Sequence, residues 1–358
     1  MKIGLIGLPK SGKTTIFNAL TRSNAEVADY ASGRVEPNLA VVDVEDPRVD
    51  TLSEMYQPKR TIYATIDFID FVGVDRSEGK ELFSGNAMNL VKSADALAVV
   101  VRNFANDVLD SSMGPADPAR DAEAVNAELL LSDLVLVETR LERIAADHQR
   151  GKKTPQSQAE EKVLQILHEA LGNDTPVRDI DLNDDQLRTI SGFQFLSQKE
   201  VMVIVNSDEE RYGSSGDAVE KIKADYAAVE FAGDFEMQLS QLDEEEAADF
   251  MADMGITQSA RSRLTALAYE SLGLISFFTV GPDEVRAWTI HRGDTAVDAA
   301  GTIHSDLARG FIRAECFTYD ELVEAGSEAG VKSAGHFRLE GKEYEVSDGD
   351  ILNIRFSV

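Results

Sequence analysis

Gly7-Leu8-Pro9-Lys10-Ser11-Gly12-Lys13-Thr14 stands between the apolar run Lys2-Ile3-Gly4-Leu5-Ile6 and the segment Thr15-Ile16-Phe17-Asn18-Ala19-Leu20. The spacing is G-x-x-x-x-G-K-[ST], with a strand pattern before it and a helix pattern after it, the context that marks a phosphate-binding loop. Its glycines let the backbone wrap an anion with N–H groups pointing inward. Lys13 can then reach the β- and γ-phosphates of a nucleoside triphosphate, and the Thr14 hydroxyl can ligand Mg²⁺. Pro9, Lys10, Ser11, Gly12, Lys13, Thr14 and Thr15 are therefore the expected contacts to ATP or GTP. The fold class that follows is α/β, a P-loop NTPase domain.

Around this loop the chain runs to 358 residues, enough for two or three domains. Sixty-four acidic against 35 basic residues give a formal charge of −29, which argues against a general polyanion-binding surface but leaves room for a local basic patch. Cys316 stands alone, so an intrachain disulfide or a cysteine metal cluster is excluded. No run approaches the roughly 18 apolar residues of a membrane helix, and no signal-like segment precedes the first strand. A cytoplasmic chain that avoids membranes and reads no DNA sequence is the expectation.

Further along, strands are expected at 2–6, 39–44, 62–70 and 96–101, with helices around 13–22 and 86–93, and the next strand of this type is Val201-Met202-Val203-Ile204-Val205. Between them Ala122, Val125, Leu129 and Leu130 lead into Leu134, Val137, Leu141 and Ile144, and Val163, Leu167 and Leu171 resume helical spacing after a polar break. Two long helices joined by a polar turn predict an antiparallel hairpin inserted in the nucleotide domain. Such an arm serves packing alone or binds a partner. From about Ile275 short apolar segments alternate with Arg292-Gly293-Asp294 and Asp348-Gly349-Asp350 turns, which predicts an α+β domain with helices near 295–302 and 319–325. The expected domains are 1–117 and 196–274 for the nucleotide fold, 118–195 for the arm and 275–358 for the C-terminal domain.

A Mg²⁺-side carboxylate is expected at a strand end after a phosphate loop. Asp67-Phe68-Ile69-Asp70-Phe71-Val72-Gly73 supplies Asp70, and Gly73 offers a backbone N–H to the γ-phosphate, the usual origin of a nucleotide switch. The base side is less regular. Asn206-Ser207-Asp208-Glu209 occupies the place of the guanine-reading N-K-x-D, with Ser207 for Lys and Glu209 for Asp. Adenine presents an acceptor where guanine presents a donor, so a carboxylate repels it, and the longer Glu209 argues against tight guanine selection. Asn206 is the expected base contact, whereas Asp208 is equally suited to a solvated turn.

These motifs resemble those of the YchF family, the Obg-like ATPases of the translation-factor group. The resemblance spans essentially the whole length. It rests on Glu36-Pro37-Asn38, the Asn206–Glu209 motif, the run Phe277–Thr289 with Gly281-Pro282-Asp283-Glu284, Gly301-Thr302-Ile303-His304-Ser305-Asp306 and Arg309-Gly310-Phe311-Ile312-Arg313-Ala314-Glu315. It implies an NTPase domain with an inserted helical arm and a C-terminal TGS domain, Mg²⁺-dependent ATP hydrolysis with GTP tolerated, and association with the ribosome or ribosomal RNA. The expected chain is a monomer. A hydrolysis-impaired scaffold acting through the arm is the alternative. Arg286, Trp288, His291 and Arg292 are close enough in sequence to form an RNA face, extended by Arg309, Arg313, Lys332 and Arg338. Against that, acidic residues outnumber basic ones in this domain, and a strand Trp is more often core. His304 and His336 lack a second ligand at metal-like spacing and read as structural.

Departures from the family pattern fall at the site. Arg34 stands where the family carries a switch Thr, and Arg has donors only, so it cannot ligand Mg²⁺. It either faces solvent or reaches the phosphates as an internal arginine finger. Lys10 replaces an Asn that helps hold potassium in related proteins, and its ammonium either takes the ion's place or faces solvent. Val74 follows Gly73 where efficient GTPases carry a water-orienting Gln, which predicts slow turnover of about 10⁻⁴ to 10⁻² per second. Ala232 and Gly233 lie where the family has its last base-side loop, and the Lys usual there is missing. Arg34→Ala separates the two readings of Arg34: a finger predicts a drop in turnover of roughly tenfold or more, and an unchanged rate excludes it.

Overall fold

The computed structural model describes residues 1–21, 38–71, 91–214 and 216–357. Along the described chain the elements run β1 (Lys2–Ile6), α1 (Lys13–Thr21), β2 (Asn38–Asp43), α2 (Pro47–Tyr56), β3 (Arg60–Ile62), β4 (Thr65–Asp70), β5 (Ala96–Asn103), α3 (Asp107–Met113), α4 (Pro118–Gln149), α5 (Pro155–Gly172), α6 (Asp184–Ile190), β6 (Glu200–Ser207), α7 (Gly216–Lys223), β7 (Ala227–Ala232), α8 (Gly233–Leu239), α9 (Glu244–Asp253) and α10 (Ala260–Ser271). The C-terminal part adds β8 (Leu274–Thr279), β9 (Glu284–His291), α11 (Ala296–Ile303), α12 (Ser305–Arg309), β10 (Phe311–Thr318), α13 (Tyr319–Ala325), α14 (Glu328–Ala334), β11 (Arg338–Glu340) and β12 (Asp350–Phe356). Two compact units result, one of residues 1–40 and 67–260, the other of residues 41–66 and 261–358.

The first unit is built on a sheet ordered β2-β4-β1-β5-β6-β7, in which β1 pairs in parallel with β4 and β5, and β6 with β5 and β7. Every residue of β5 is buried, the pattern of a central parallel strand covered on both faces. Because β1 and β4 are parallel neighbours, Leu5 lies opposite Asp70, and the loop after β1 and the end of β4 come out at the same edge. That carboxyl edge of an open parallel sheet is where such folds place ligands.

The expected hairpin is α4 and α5. Asp117 accepts from Arg120 N at the start of α4, and Pro118 fills the first turn, where a missing N–H costs nothing. Thr154 and Ser157 form a reciprocal cap at the start of α5. Val137, Ile144, Leu164 and Leu167 interlock between the helices, joined by Ile190 and Phe195. Asp133, 1% exposed, fixes the base of the arm by accepting from Leu196 N at 2.9 Å and from Ser197 N and Oγ at 2.7 Å each.

The second unit has a sheet ordered β11-β10-β12-β8-β9-β3. β10 pairs antiparallel with β11 and β12, β8 antiparallel with β9, while β12–β8 and β3–β9 are parallel. The sequence pattern predicts one strand over 62–70; the structure has two, β3 in this sheet and β4 in the other. Ion pairs Lys59–Asp283 (2.7 Å) and Arg60–Glu284 (3.1 Å) flank the β3–β9 ladder. Arg48 of α2 contacts Asp46 and Asp348 at 2.8 Å each and lies 5.0 Å from the Phe278 ring centre. Cys316 is a core residue of this unit, its thiol pushed up to about 11 chiefly by burial, and its role there is packing. No described helix is long and apolar enough to cross a membrane.

Asp133→Ala leaves two buried backbone N–H groups unpaired, each costing about 1–3 kcal/mol. The expected loss is about 3 kcal/mol, read as a lower denaturant midpoint by far-ultraviolet circular dichroism.

Candidate functional site

At the carboxyl edge of the first sheet, the turn from β1 into α1 forms the loop singled out in the sequence. Lys10 adopts φ 64°, a left-handed conformation that a side-chain-bearing residue takes only where the surrounding structure imposes it. It is exposed, and Pro9 and Thr15 are half-buried. The Lys13 ammonium curls back onto the Gly7 and Leu8 carbonyls at 3.1 Å each. Burial lowers this amine to about 8, with the Asp70 charge opposing the shift. A buried cation whose hydrogen-bond partners among the described residues are two carbonyls is poised to exchange them for a stronger anionic acceptor.

Asp70 closes β4 and is fully buried. One oxygen, Oδ2, accepts from Thr14 Oγ1 at 3.1 Å and from Asn38 Nδ2 at 3.3 Å. The other, Oδ1, is buried without a hydrogen-bond partner among the described residues, as is Ser11 Oγ. Burial raises the carboxyl, opposed by the Asn38 and Thr14 hydrogen bonds and the Lys13 charge. An orphaned carboxylate oxygen beside a Thr hydroxyl is an oxygen donor set with room for a hard divalent cation.

Asn206, the next-to-last residue of β6, reaches the loop. Its Nδ2 donates to the Ser11 carbonyl at 3.0 Å, and a Cβ on either Gly12 or Gly233 would collide with its amide. The remaining base-side residues divide. Ser207 Oγ donates to Glu230 Oε1 at 2.6 Å and accepts from Asn103 Nδ2 at 2.8 Å, and the residue is 2% exposed. Asp208 is a turn residue, accepting from Ala105 N at 2.8 Å and Arg211 N at 2.9 Å. Glu209 is exposed. Ala232 is buried, and its N–H is capped by Glu236 at 3.1 Å. Arg34 and Gly73 lie outside the described residues.

The structure thus gathers Lys13, Thr14, Asp70, Ser11, Gly12, Asn206 and Gly233 around one loop. It adds residues that sequence reasoning missed. Asn38, the end of the Glu36-Pro37-Asn38 motif, serves Asp70, a link that only the β2-β4 adjacency reveals. Phe104, just past β5, has its ring 3.9 Å from where a Gly12 Cβ would sit, at the mouth of the loop. Glu230 lies on a strand whose Ala-rich composition hides it, and it ties Ser207 to the Gly213 N–H at 3.2 Å.

Comparison with known proteins places the chain in a family. Residues 2–140 match the family model described as 50S ribosome-binding GTPase, and residues 274–357 match a C-terminal model named for YchF GTPases and described as a protein of unknown function (DUF933). The chain is 38% identical to the ribosome-binding ATPase YchF of Pasteurella multocida, covering 100% of this chain and 99% of that protein. It is 37% identical to the protein of the same name from Bacillus subtilis, covering 99% of each. The solved structure of the Schizosaccharomyces pombe YchF GTPase superimposes with a TM-score of 0.82 at 30% identity, over 99% of this chain and 97% of that one. Matched along its full length by relatives at 37–38% identity and by a solved YchF structure at a TM-score of 0.82, the chain belongs to the YchF family.

Proposed function

We propose that this chain is a Mg²⁺-dependent nucleotide switch that binds ATP, tolerates GTP, hydrolyses its nucleotide slowly and associates with the ribosome. The observation that carries the reading is the orphaned Oδ1 of buried Asp70 beside Thr14 and Lys13 in a phosphate loop. Ribosome association rests on the names of the bacterial relatives, which are ribosome-binding ATPases.

Lys13 would release the Gly7 and Leu8 carbonyls and move onto the β- and γ-phosphate oxygens, and N–H groups at the positive end of α1 would complete the cradle. Thr14 and Asp70 would hold Mg²⁺, whose charge offsets that of the phosphates. Asn38 would keep Asp70 oriented, and the Thr14 hydroxyl, which donates to Asp70 in the free chain, would be available to the ion. Asn206 holds the Ser11 carbonyl and so keeps the loop closed under the phosphates. On the base side, Ser207 is drawn inward by Asn103 and Glu230 and leaves the face open that a Lys covers in guanine readers; Phe104 supplies an apolar surface there. That combination favours adenine without a strong penalty on guanine. The apolar Val74 after Gly73 leaves water unoriented, which keeps the intrinsic rate low.

Calorimetric titration with non-hydrolysable ATP and GTP analogues and Mg²⁺ tests the site. The triphosphate favours charged Lys13 and raises it from about 8, so binding at pH about 8 takes up a fraction of a proton. Measured enthalpy should therefore vary with buffer ionisation heat, and affinity should weaken as pH rises past that value. Binding of neither analogue would refute the proposal. For the switch, the chain should pellet with ribosomes more fully with the ATP analogue than without nucleotide, and Asp70→Asn should erase the difference. Equal pelleting in every state would leave nucleotide binding without a switch.

A further inference from the structure

The arm carries a surface that nucleotide binding does not use. Leu131 and Val135 sit one turn apart on α4 and are 55% and 47% exposed. One turn on α4 places such residues side by side, so they form an apolar stripe. Val135 continues into a groove of about 600 Å³ at the base of the arm, floored by Leu136 and Phe193 and bordered by Lys92 and Arg143. Phe193 is held flat by stacking on Phe195, with ring centres 5.3 Å apart. The cations of the groove divide into two kinds. Arg140 is committed to Glu160 through contacts of 2.6 and 2.9 Å. Lys92 and Arg143 form no ion pair among the described residues, although the buried carboxylate of Asp133 lies within reach of the Lys92 charge.

We propose that this groove docks an acidic amphipathic helix of a partner protein, apolar side chains entering against Val135, Leu136 and Phe193 and carboxylates meeting Lys92 and Arg143. Charge selects the occupant. On a chain of net charge −29, an acidic segment is repelled almost everywhere and attracted where Arg143, with no ion pair among the described residues, and Lys92, partly offset by buried Asp133, line an apolar groove. A helix laid in an apolar groove is a common recognition mode, read through anchors at i, i+3, i+4 and i+7. A nucleic-acid strand fits worse. The Leu131–Val135 stripe and the Leu136 side chain offer nothing to a phosphate backbone, and the one aromatic among the lining residues, Phe193, already stacks on Phe195 rather than standing free for a base. The inference goes beyond the nucleotide reading and stands independently of it.

A random 16-residue peptide library displayed on phage and selected on the full-length chain tests the inference. The enriched sequences should carry apolar residues at helical spacing flanked by Asp and Glu. The leading peptide, fluorescein-labelled, should lose at least about tenfold in affinity to the doubly substituted K92E/R143E chain and also to Val135→Asp. Binding to the unaltered chain should weaken with added salt. Far-ultraviolet circular dichroism and nucleotide affinity like those of the parent establish that each variant is folded, and Arg143→Gln serves as a milder substitute. No enrichment, enrichment of neutral or basic peptides, or affinity unmoved by these substitutions would overturn the proposal. So would competition by a 12-nucleotide oligouridylate, which would assign the groove to RNA. Concentration-dependent dimerisation lost in K92E/R143E would assign it instead to a second copy of this chain.

Discussion

The amide of Asn206 is the part on which the nucleotide site depends. It lies so close to Gly12 and Gly233 that neither position has room for a Cβ, and it holds the Ser11 carbonyl through a single hydrogen bond. Three segments far apart in sequence are brought to one point by one side chain: the loop after β1, the end of β6 and the turn into α8. The close approach fixes the loop before any ligand arrives, so less of the binding energy goes into ordering it. The same tightness means that residues 12 and 233 are constrained by packing as much as by backbone freedom.

Around that point the site stores unmatched polarity. Among the described residues Lys13 is buried with two carbonyls as its hydrogen-bond acceptors, and Asp70 keeps an oxygen with no donor. Both arrangements cost stability in the free chain, since buried groups are normally satisfied. Opposite charges close together soften the cost, which is why burial and the Lys13–Asp70 attraction act in opposite directions on each group. A ligand that brings both phosphate and cation relieves the two at once.

Much of this was legible in the chain itself. The glycine and lysine spacing of residues 7–14 is a covalent signature, and the long apolar period over residues 122–171 leaves no reading but paired helices. Asp70 was visible because a carboxylate at the end of an apolar strand, downstream of such a loop, has few other uses. The roles of the base-side residues were not legible. Ser207, Asp208 and Glu209 are adjacent polar residues, and only the fold shows that the first turns inward, the second caps a turn and the third faces solvent. Their partners, Asn103, Ala105 and Glu230, are remote in sequence and carry no motif. The break at Tyr63-Ala64 was hidden for a similar reason. Residues 62–70 read as one strand by composition, and the division follows from which neighbour each half pairs with.

That division bears on how such a protein is assembled and inherited. The C-terminal sheet is not completed by the C-terminal sequence: its edge strand β3 and the Arg48 anchor are encoded more than two hundred residues upstream, between segments that build the nucleotide fold. A chain ending before Leu274 would leave β3 and α2 without the surface they pack on, and a fragment beginning there would expose β9 as a raw edge. The second unit is therefore not an appendage that gene fusion could add or remove in one step. Its sequence and that of the nucleotide fold are interleaved, and must be gained, lost or exchanged together.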